Sequence, residues 1–332
     1  MAEHRNILEG SRVLITGGAG LIGSHIADQL VQKGVGEIVI LDNFTRGSRE
    51  NLKWACDCGN VKIIEGDIRD PEILQECTRE IDYIFHQAAL RITACAEFPR
   101  GAMEVMVNGT FNVLDAAVRN KVKKVVAASS ASVYGMADEF PTAENHHPYD
   151  NQTIYGSFKL ANEGMLRSFY SMYGLEYAAL RYFNVYGPRM DVHGAYTEVM
   201  IRWLEAIENW VPPQVFGKGD QTMDFVYVGD VARANILALE TPNVNMAINI
   251  GSGKETSLLE LLHLITAVVG SNMKPEFKEE RKVNPVRRRL ADVTLAKKTI
   301  GFEAQTSLRD GLSELVRWRN GLREGKQSLV LR

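Results

Sequence analysis

The chain has 332 residues and a mass of 37.0 kDa, enough for one large or two moderate domains around a sizeable core. Hydrophobic residues at 45% and charged residues at 24% match an ordinary soluble globular protein rather than a disordered or membrane-embedded one. A net charge of −3 offers no field to recruit nucleic acid or a membrane surface, no apolar run reaches bilayer length, and Met1 to Gly10 is too charged for a signal peptide, so the cytoplasm is the expected location.

Val13, Leu14 and Ile15 form a short apolar run of the kind found in buried parallel strands, and it breaks straight into Gly17, Gly20 and Gly23. Ile22, Ile26, Leu30 and Val31 then recur at helix spacing until Gly34 and Gly36 stop the pattern. Glycines on that turn let the backbone around Leu21 and Ile22 approach a pyrophosphate at the helix N-terminus. A second apolar run, Ile38 to Leu41, ends in Asp42 and Asn43, about 20 residues past the last glycine, where a carboxylate takes both hydroxyls of an adenosine ribose. This is the pattern of a dinucleotide site. NAD is favoured over NADP, because a carboxylate repels a 2′-phosphate and no arginine directly follows Asp42.

Short apolar runs and amphipathic stretches keep alternating, which predicts an α/β fold with a doubly wound parallel sheet. Val61 to Glu65 is the third strand; beyond it Asp67, beside Ile68, either accepts from an adenine amino group or caps the helix that opens at Pro71. The four cysteines, Cys56, Cys58, Cys77 and Cys95, lack zinc-knuckle spacing and read as free thiols. Asp82 to His86 is the fourth strand and runs into Gln87, Ala88 and Ala89, suited to a backbone passing beside the cofactor. A helix from about Arg100 to Arg119 follows, and the strand Val125 to Ala128 ends in Ser129, Ser130 and Ser132 at the carboxyl edge of the sheet, where open α/β sheets bind ligands.

Gly135 to Thr153 reads as a polar surface loop. His146 and His147 lie in it, no histidines cluster at ligand spacing, and no metal site is expected. Tyr155 and Lys159 open the next helix, four apart and therefore on one face. After the strand Tyr177 to Arg181 the regular alternation ends. A polar loop from Met190, a helix Tyr196 to Glu208, short strands near Gln214 to Phe216 and Phe225 to Val228, and helices near Asp230 and Leu258 describe something smaller. The expected organisation is a dinucleotide-binding domain over 1–185, with segments near 225–250 interleaved, and a smaller domain over 186–332 that caps the sheet and leaves a cleft.

Ser130, Tyr155 and Lys159 beside a nicotinamide constrain the chemistry. The lysine charge favours phenolate and lowers the tyrosine pKa from about 10 toward neutrality, making it a general base, while the serine hydrogen-bonds the reacting oxygen. Such a site oxidises a secondary alcohol or reduces a ketone.

Four motifs in order, Gly17 to Gly23, Ser129-Ser-x-Ser-Val-Tyr-Gly135, Tyr155-x-x-x-Lys159 and Arg181-Tyr-Phe-Asn-x-Tyr-Gly-Pro-Arg189, make the chain resemble the extended short-chain dehydrogenase/reductases from about Arg12 to Trp318. The branch it most resembles is the nucleotide-sugar epimerases, such as the UDP-glucose 4-epimerases. The resemblance implies that Ser130 and Tyr155 are the catalytic pair, that Lys159 holds the nicotinamide ribose, and that Asn184 touches the substrate diphosphate. It further implies that Val199 and Phe216 flank the base and that Arg91 lies near the nucleotides. On this likeness NAD stays bound, takes a hydride from C4 of a nucleotide-diphosphate sugar and returns it to the other face, in a homodimer paired through the helices near 100–119 and 155–173.

Ala131 and Ser132 stand where dehydratase and decarboxylase relatives place carboxylates, so simple epimerisation is favoured. A 4-keto-sugar reductase is the runner-up, and a non-catalytic NAD-binding sensor is a reading of a different class. Met106, Met223 and Glu198 depart from the family pattern, the first at a cofactor contact and Met223 at a diphosphate-gripping arginine, with Lys282 and Arg287 as compensating cations. Arg289 matches a gatekeeper position beside the sugar. Its bulk would exclude N-acetyl groups, its planar fork would recognise a uronic acid, or it turns away to pair with a local acid; Asn184 tilts the expectation toward a neutral hexose.

Overall fold

The computed structural model describes residues 7–192, 198–279 and 286–330, with the side chains of the last segment described through 322. Six strands come in sequence: β1 (Arg12–Thr16), β2 (Glu37–Asp42), β3 (Val61–Glu65), β4 (Tyr83–His86), β5 (Lys124–Ser130) and β6 (Glu176–Tyr182). Three short strands follow, β7 (Asn184–Tyr186), β8 (Gln214–Phe216) and β9 (Thr222–Tyr227), before β10 (Met246–Ile250). The central sheet has seven strands, all parallel, in the order β3-β2-β1-β4-β5-β6-β10. Because the winding reverses between β1 and β4, a crevice opens there at the carboxyl ends of the strands.

Helices cover both faces of the sheet, which is why its strands are apolar runs rather than alternating ones. They are α1 (Leu21–Gln32), α2 (Lys53–Cys58), α3 (Pro71–Cys77), α4 (Ile92–Glu97), α5 (Pro99–Met103), α6 (Thr110–Arg119) and α7 (Ile154–Tyr173). Beyond them come α8 (Val199–Glu208), α9 (Val228–Glu240), α10 (Leu258–Val269), α11 (Thr294–Ile300) and α12 (Leu308–Val330). Leu30, Ile40, Phe85, Val231 and Ile248 belong to one buried core, and Leu14, Leu74, Leu114, Leu166 and Ala179 to a second. A third core joins Tyr186, Met200, Trp203, Val215, Leu261 and Leu312, drawn from β7, β8, α8, α10 and α12.

Several boundaries differ from expectation. Asp70, not Asp67, caps α3, accepting from the Glu72 and Ile73 amides at 2.9 and 3.2 Å, because it directly precedes the proline that opens the helix. The helix expected over 100–119 starts at Pro99 and widens into a π-helical turn, Glu104–Gly109, between α5 and α6. The strand expected at Phe225 begins at Thr222, and Val228 already opens α9. It stays out of the central sheet, pairing parallel with β7 and antiparallel with β11 (Glu255–Ser257), while β8 pairs with β12 (Glu276–Lys278). Tyr196 lies outside the described residues; α8 starts at Val199. All four cysteines are free, and among the described residues no helix is long and apolar enough to cross a membrane.

Candidate active site

β1 ends where Gly17 takes a φ of +67°, a region that favours glycine. A Cβ there would lie 2.7 Å from the Ala88 Cα, and one on Gly23 would lie 2.5 Å from the Gly17 carbonyl oxygen. The glycine turn and the segment after β4 are therefore pressed together, and no side chain caps α1, so its first amides face the cavity as an anion receptor. Asp42, buried at the end of β2, accepts from the Ala19 and Phe44 amides at 2.9 Å each, one per carboxylate oxygen. Burial pushes its pKa up while the two amides pull it down, and each oxygen keeps a second acceptor position for a ribose hydroxyl. Asn43 donates to Asp67 at 2.8 Å, and the Arg69 guanidinium beside Asp67 holds that carboxyl down to about 2, so it stays ionised. Gly20, Leu21, Ile22, Ile68, Gln87 and Ala89 line the same wall. A bare helix N-terminus, a cradle that a Cβ would fill and a carboxylate on the same cavity wall at the end of β2 fit NAD.

The candidate reacting groups sit across the crevice. Ser130 ends β5, and its hydroxyl accepts from the Ser132 amide at 3.1 Å. Thr153 caps α7, accepting from the Gly156 amide at 3.1 Å, so that Tyr155 and Lys159 fall on the turns facing Ser130. The Lys159 ammonium donates to the Ala128 carbonyl at 2.6 Å and lies 5.8 Å from the Tyr155 ring centroid. Burial pushes the phenol up to about 12, against the Ser130 hydroxyl that hydrogen-bonds it, and pushes the Lys159 ammonium down to about 8. A phenol poised near neutrality is thus not what this geometry holds. Desolvation favours the neutral form of each group, and the lysine charge is spent on a backbone carbonyl rather than on the phenol.

The strand end itself is pinned from below. Glu163, one turn beyond Lys159 on α7, accepts from the Ser129 hydroxyl and takes the Arg181 fork at 2.9 and 2.7 Å, all three side chains buried. Arg181 also donates to the Tyr134 hydroxyl and the Glu144 carbonyl, each at 2.9 Å. His86 is clamped between Thr16 and Thr110, 2.7 and 3.0 Å from its two nitrogens, and burial with the Lys159 charge pushes it down to about 3.

One continuous cavity of about 1760 Å³ joins the dinucleotide wall to Ser130, Tyr155 and Lys159 and extends under α8. A pocket for a single small ligand occupies roughly 300–1,000 Å³, so this volume admits two. Arg91, Ser132, Asn184, Val199, Phe216 and Arg289 all line it, as do Met223 and Glu198. Asn184 donates to the Asp224 carbonyl at 3.2 Å. Arg287 is not brought in: it is exposed and absent from the cavity wall, its carbonyl tied to the Thr222 amide at 2.9 Å, and Lys282 lies outside the described residues. Arg288, likewise exposed, pairs with Glu255 and covers the Phe140 ring. Met106 sits buried in the π turn, where its sulfur accepts from the Leu90 amide at 3.2 Å. Arg46 and Asp191 escaped the sequence reading. Asp191 lies 3.3 Å from Arg91 and 3.6 Å from Arg46, a carboxylate between two guanidiniums on the cavity wall. Arg46 follows Asp42 closely enough to have been noticed; nothing local marks Asp191.

Residues 13–251 match the NAD dependent epimerase/dehydratase family. The chain belongs to that family. It is 35% identical over 310 residues to the UDP-glucose 4-epimerase of Mycolicibacterium smegmatis, covering 92% of this chain and 97% of that one. It is also 35% identical over 322 residues to the UDP-N-acetyl-alpha-D-glucosaminuronate decarboxylase of Bacillus cytotoxicus, at the same coverage. Among solved structures it superposes on the UDP-N-acetylglucosamine 4-epimerase of Methanobrevibacter ruminantium in complex with UDP-N-acetylmuramic acid, with a TM-score of 0.89, 33% identity, and coverage of 95% and 99%. In this epimerase/dehydratase chain the two residues after Ser130 are Ala131 and Ser132, so no carboxylate directly follows that serine. Arg289 donates to the Ala131 carbonyl at 2.9 Å, and among the described residues no acid pairs with it, which removes the expectation that it turns away to a local acid.

Proposed function

We propose that the protein is an NAD-dependent nucleotide-sugar 4-epimerase acting on a UDP-linked six-carbon sugar. The observation that carries the reading is a serine, tyrosine and lysine at the junction of a dinucleotide wall and a second ligand space, with no acid next to the serine. Bound NAD would supply reversible hydride exchange at C4. Tyr155, once ionised by the charge bound beside it, receives the C4 hydroxyl proton and later returns it, Ser130 hydrogen-bonds the same oxygen, and Lys159 holds the ribose beside the nicotinamide. Without a carboxylate directly after Ser130, dehydration and decarboxylation lack the proton donor or acceptor those reactions place there, and the keto sugar turns over and is reduced again. Gly17, Gly20, Gly23, Asp42, Asn43, Asp67 and the Gln87 to Ala89 segment hold the dinucleotide within 1–185, while the sugar nucleotide is held from both sides, by Arg91, Ser132 and Asn184 within 1–185 and by Val199, Phe216 and Arg289 within 186–332.

The same reading includes a cytoplasmic homodimer. Met103, Phe111, Tyr170 and Tyr173, on α5, α6 and α7, are large apolar side chains left exposed, which supports pairing through those helices. The test of the activity is native mass spectrometry of the purified protein for NAD, followed by incubation with UDP-sugars and proton NMR of the products. Interconversion of C4 epimers with no external NAD(H) is expected. A net reduced or dehydrated product would replace epimerisation with one of its sister reactions.

A further inference from the structure

Arg289 is a cation at the reacting end of the cavity, on the wall it shares with Ser130 and Ser132. It donates to the carbonyl of Ala131, the residue between Ser130 and Ser132, and among the described residues it meets no carboxylate. Three other arginines of the wall are placed against acids: Arg91 and Arg46 against Asp191, and Arg189 against Asp28 at 2.7 Å. Desolvation pushes the part-buried Arg289 guanidinium down to about 10, the direction expected when a charge drawn out of water lacks a counter-ion.

Its position is also held rigidly. The backbone on either side is stitched to two elements: the Arg289 amide donates to the Thr222 carbonyl at 2.9 Å, the Thr142 amide to the Leu290 carbonyl at 2.8 Å, and the Ala291 amide to the buried Asp224 carboxylate at 3.2 Å. A cation fixed in this way, with one N–H on a carbonyl and the remaining donors of its fork uncommitted, is a preorganised receptor for a planar anion. The Ser132 hydroxyl lines the cavity alongside and has no partner among the described residues. An anion held there lies next to the catalytic serine, where the sugar ring must sit for Tyr155 to reach its hydroxyl, and not at the diphosphate.

We infer that Arg289 binds a carboxylate carried by the sugar, and that the substrate is a nucleotide-linked hexuronic acid. This rests on the epimerase reading for the identity of the ring beside Ser130, and it departs from the neutral hexose expected from Asn184. Size alone would make Arg289 a steric gate; its missing acid partner is what makes it a receptor.

The experiment uses the NAD-loaded protein and three probes: UDP-glucuronate, UDP-glucose and UDP-N-acetylglucosamine. Calorimetric affinity and C4 epimerisation are measured for the parent, Arg289→Met, Arg289→Ser and Arg289→Lys, with NAD content by native mass spectrometry reporting folding. The parent is expected to favour the uronate by on the order of 10²-fold in affinity and in kcat/KM, as for a desolvated charge pair. Arg289→Met keeps the bulk and loses the charge; the uronate preference should fall by at least about 30-fold, with Arg289→Lys intermediate. Equal parental affinity for uronate and glucose overturns the inference, as does an Arg289→Met protein that still prefers the uronate. If Arg289→Met behaves as the parent while Arg289→Ser alone admits the N-acetylated sugar, the residue is a gate and the inference fails. Tighter uronate binding without turnover of any probe would leave the receptor standing and sink the epimerase reading instead.

Discussion

Burial drives Tyr155 and Lys159 toward their uncharged forms, the phenol up to about 12 and the amine down to about 8, so the proton acceptor has to be created by what binds beside it. Tyr155→Phe removes only the phenol oxygen. Turnover should drop by the roughly 10²–10⁴ of one acid-base group or more, while NAD stays bound; near-parental turnover would mean that another group takes the proton. Asp42 already spends one lone pair per oxygen on an amide, and on the proposed reading the remaining positions are left for the ribose. Asp42→Ala should narrow the preference for NAD over NADP by roughly 10-fold, read by fluorescence titration of the two cofactors. His86 is a purely structural titrator. Its folded pKa of about 3 lies below the usual 6.5, so the folded state binds fewer protons between those values, and stability is whole above pH 6.5 and lost as pH falls toward 3. His25, pushed down to about 4, has the same sign. Melting temperature should therefore fall from pH 6.5 to 4, and His86→Gln should flatten that slope by up to about 1.4 kcal/mol per pH unit.

At the scale of elements, α7 does two jobs along one face. Its first turns carry Tyr155 and Lys159 to the crevice, and Glu163 ties the next turn to Ser129 and Arg181. The helix thereby sets the depth of Ser130 relative to the phenol. α3 shows how local such placement can be: its cap is Asp70, and Asp70→Ala should cost about 1 kcal/mol in chemical denaturation with NAD affinity unchanged, because Asp67 and not Asp70 lines the cavity. The π turn before α6 has a different cause. It places Met106, where the family pattern has asparagine, so that the thioether takes the Leu90 amide and keeps the segment after β4 satisfied without an amide side chain.

Over the whole molecule, the segment after β7 is fastened to the first helix of the dinucleotide half by Arg189 and Asp28 at 2.7 Å, both largely buried. Arg189 adopts a φ of +68°, and its second terminal nitrogen and the other Asp28 oxygen are buried with no partner among the described residues. Removing one charge strands the other. Arg189→Leu should destabilise the protein by about 3–5 kcal/mol, and the double replacement with Asp28→Leu by less, as measured in urea. The exposed Phe111 on α6 gives the molecular-scale test of assembly: light scattering should give twice the chain mass for the parent and the chain mass for Phe111→Glu.

The first β-α-β unit was legible in the sequence because its determinants are local. An apolar run, three glycines, a helix period and an acid about 20 residues on each act within one β-α-β unit, so Gly17, Gly23 and Asp42 fell where spacing put them. Ser130, Tyr155 and Lys159 were legible for the same reason, one at a strand end and two on a helix face. Only the tertiary structure decided what surrounds them. That Arg287 is exposed and off the cavity wall while Arg289 lines it, that Asp191 stands between Arg46 and Arg91, and that β9 pairs with β7 instead of joining the central sheet depend on contacts between residues tens to hundreds of positions apart. Protonation followed the same division. The sequence places a lysine four residues from a tyrosine, but whether that charge lowers the phenol pKa depends on desolvation and on the Ala128 carbonyl, and both are properties of the folded interior.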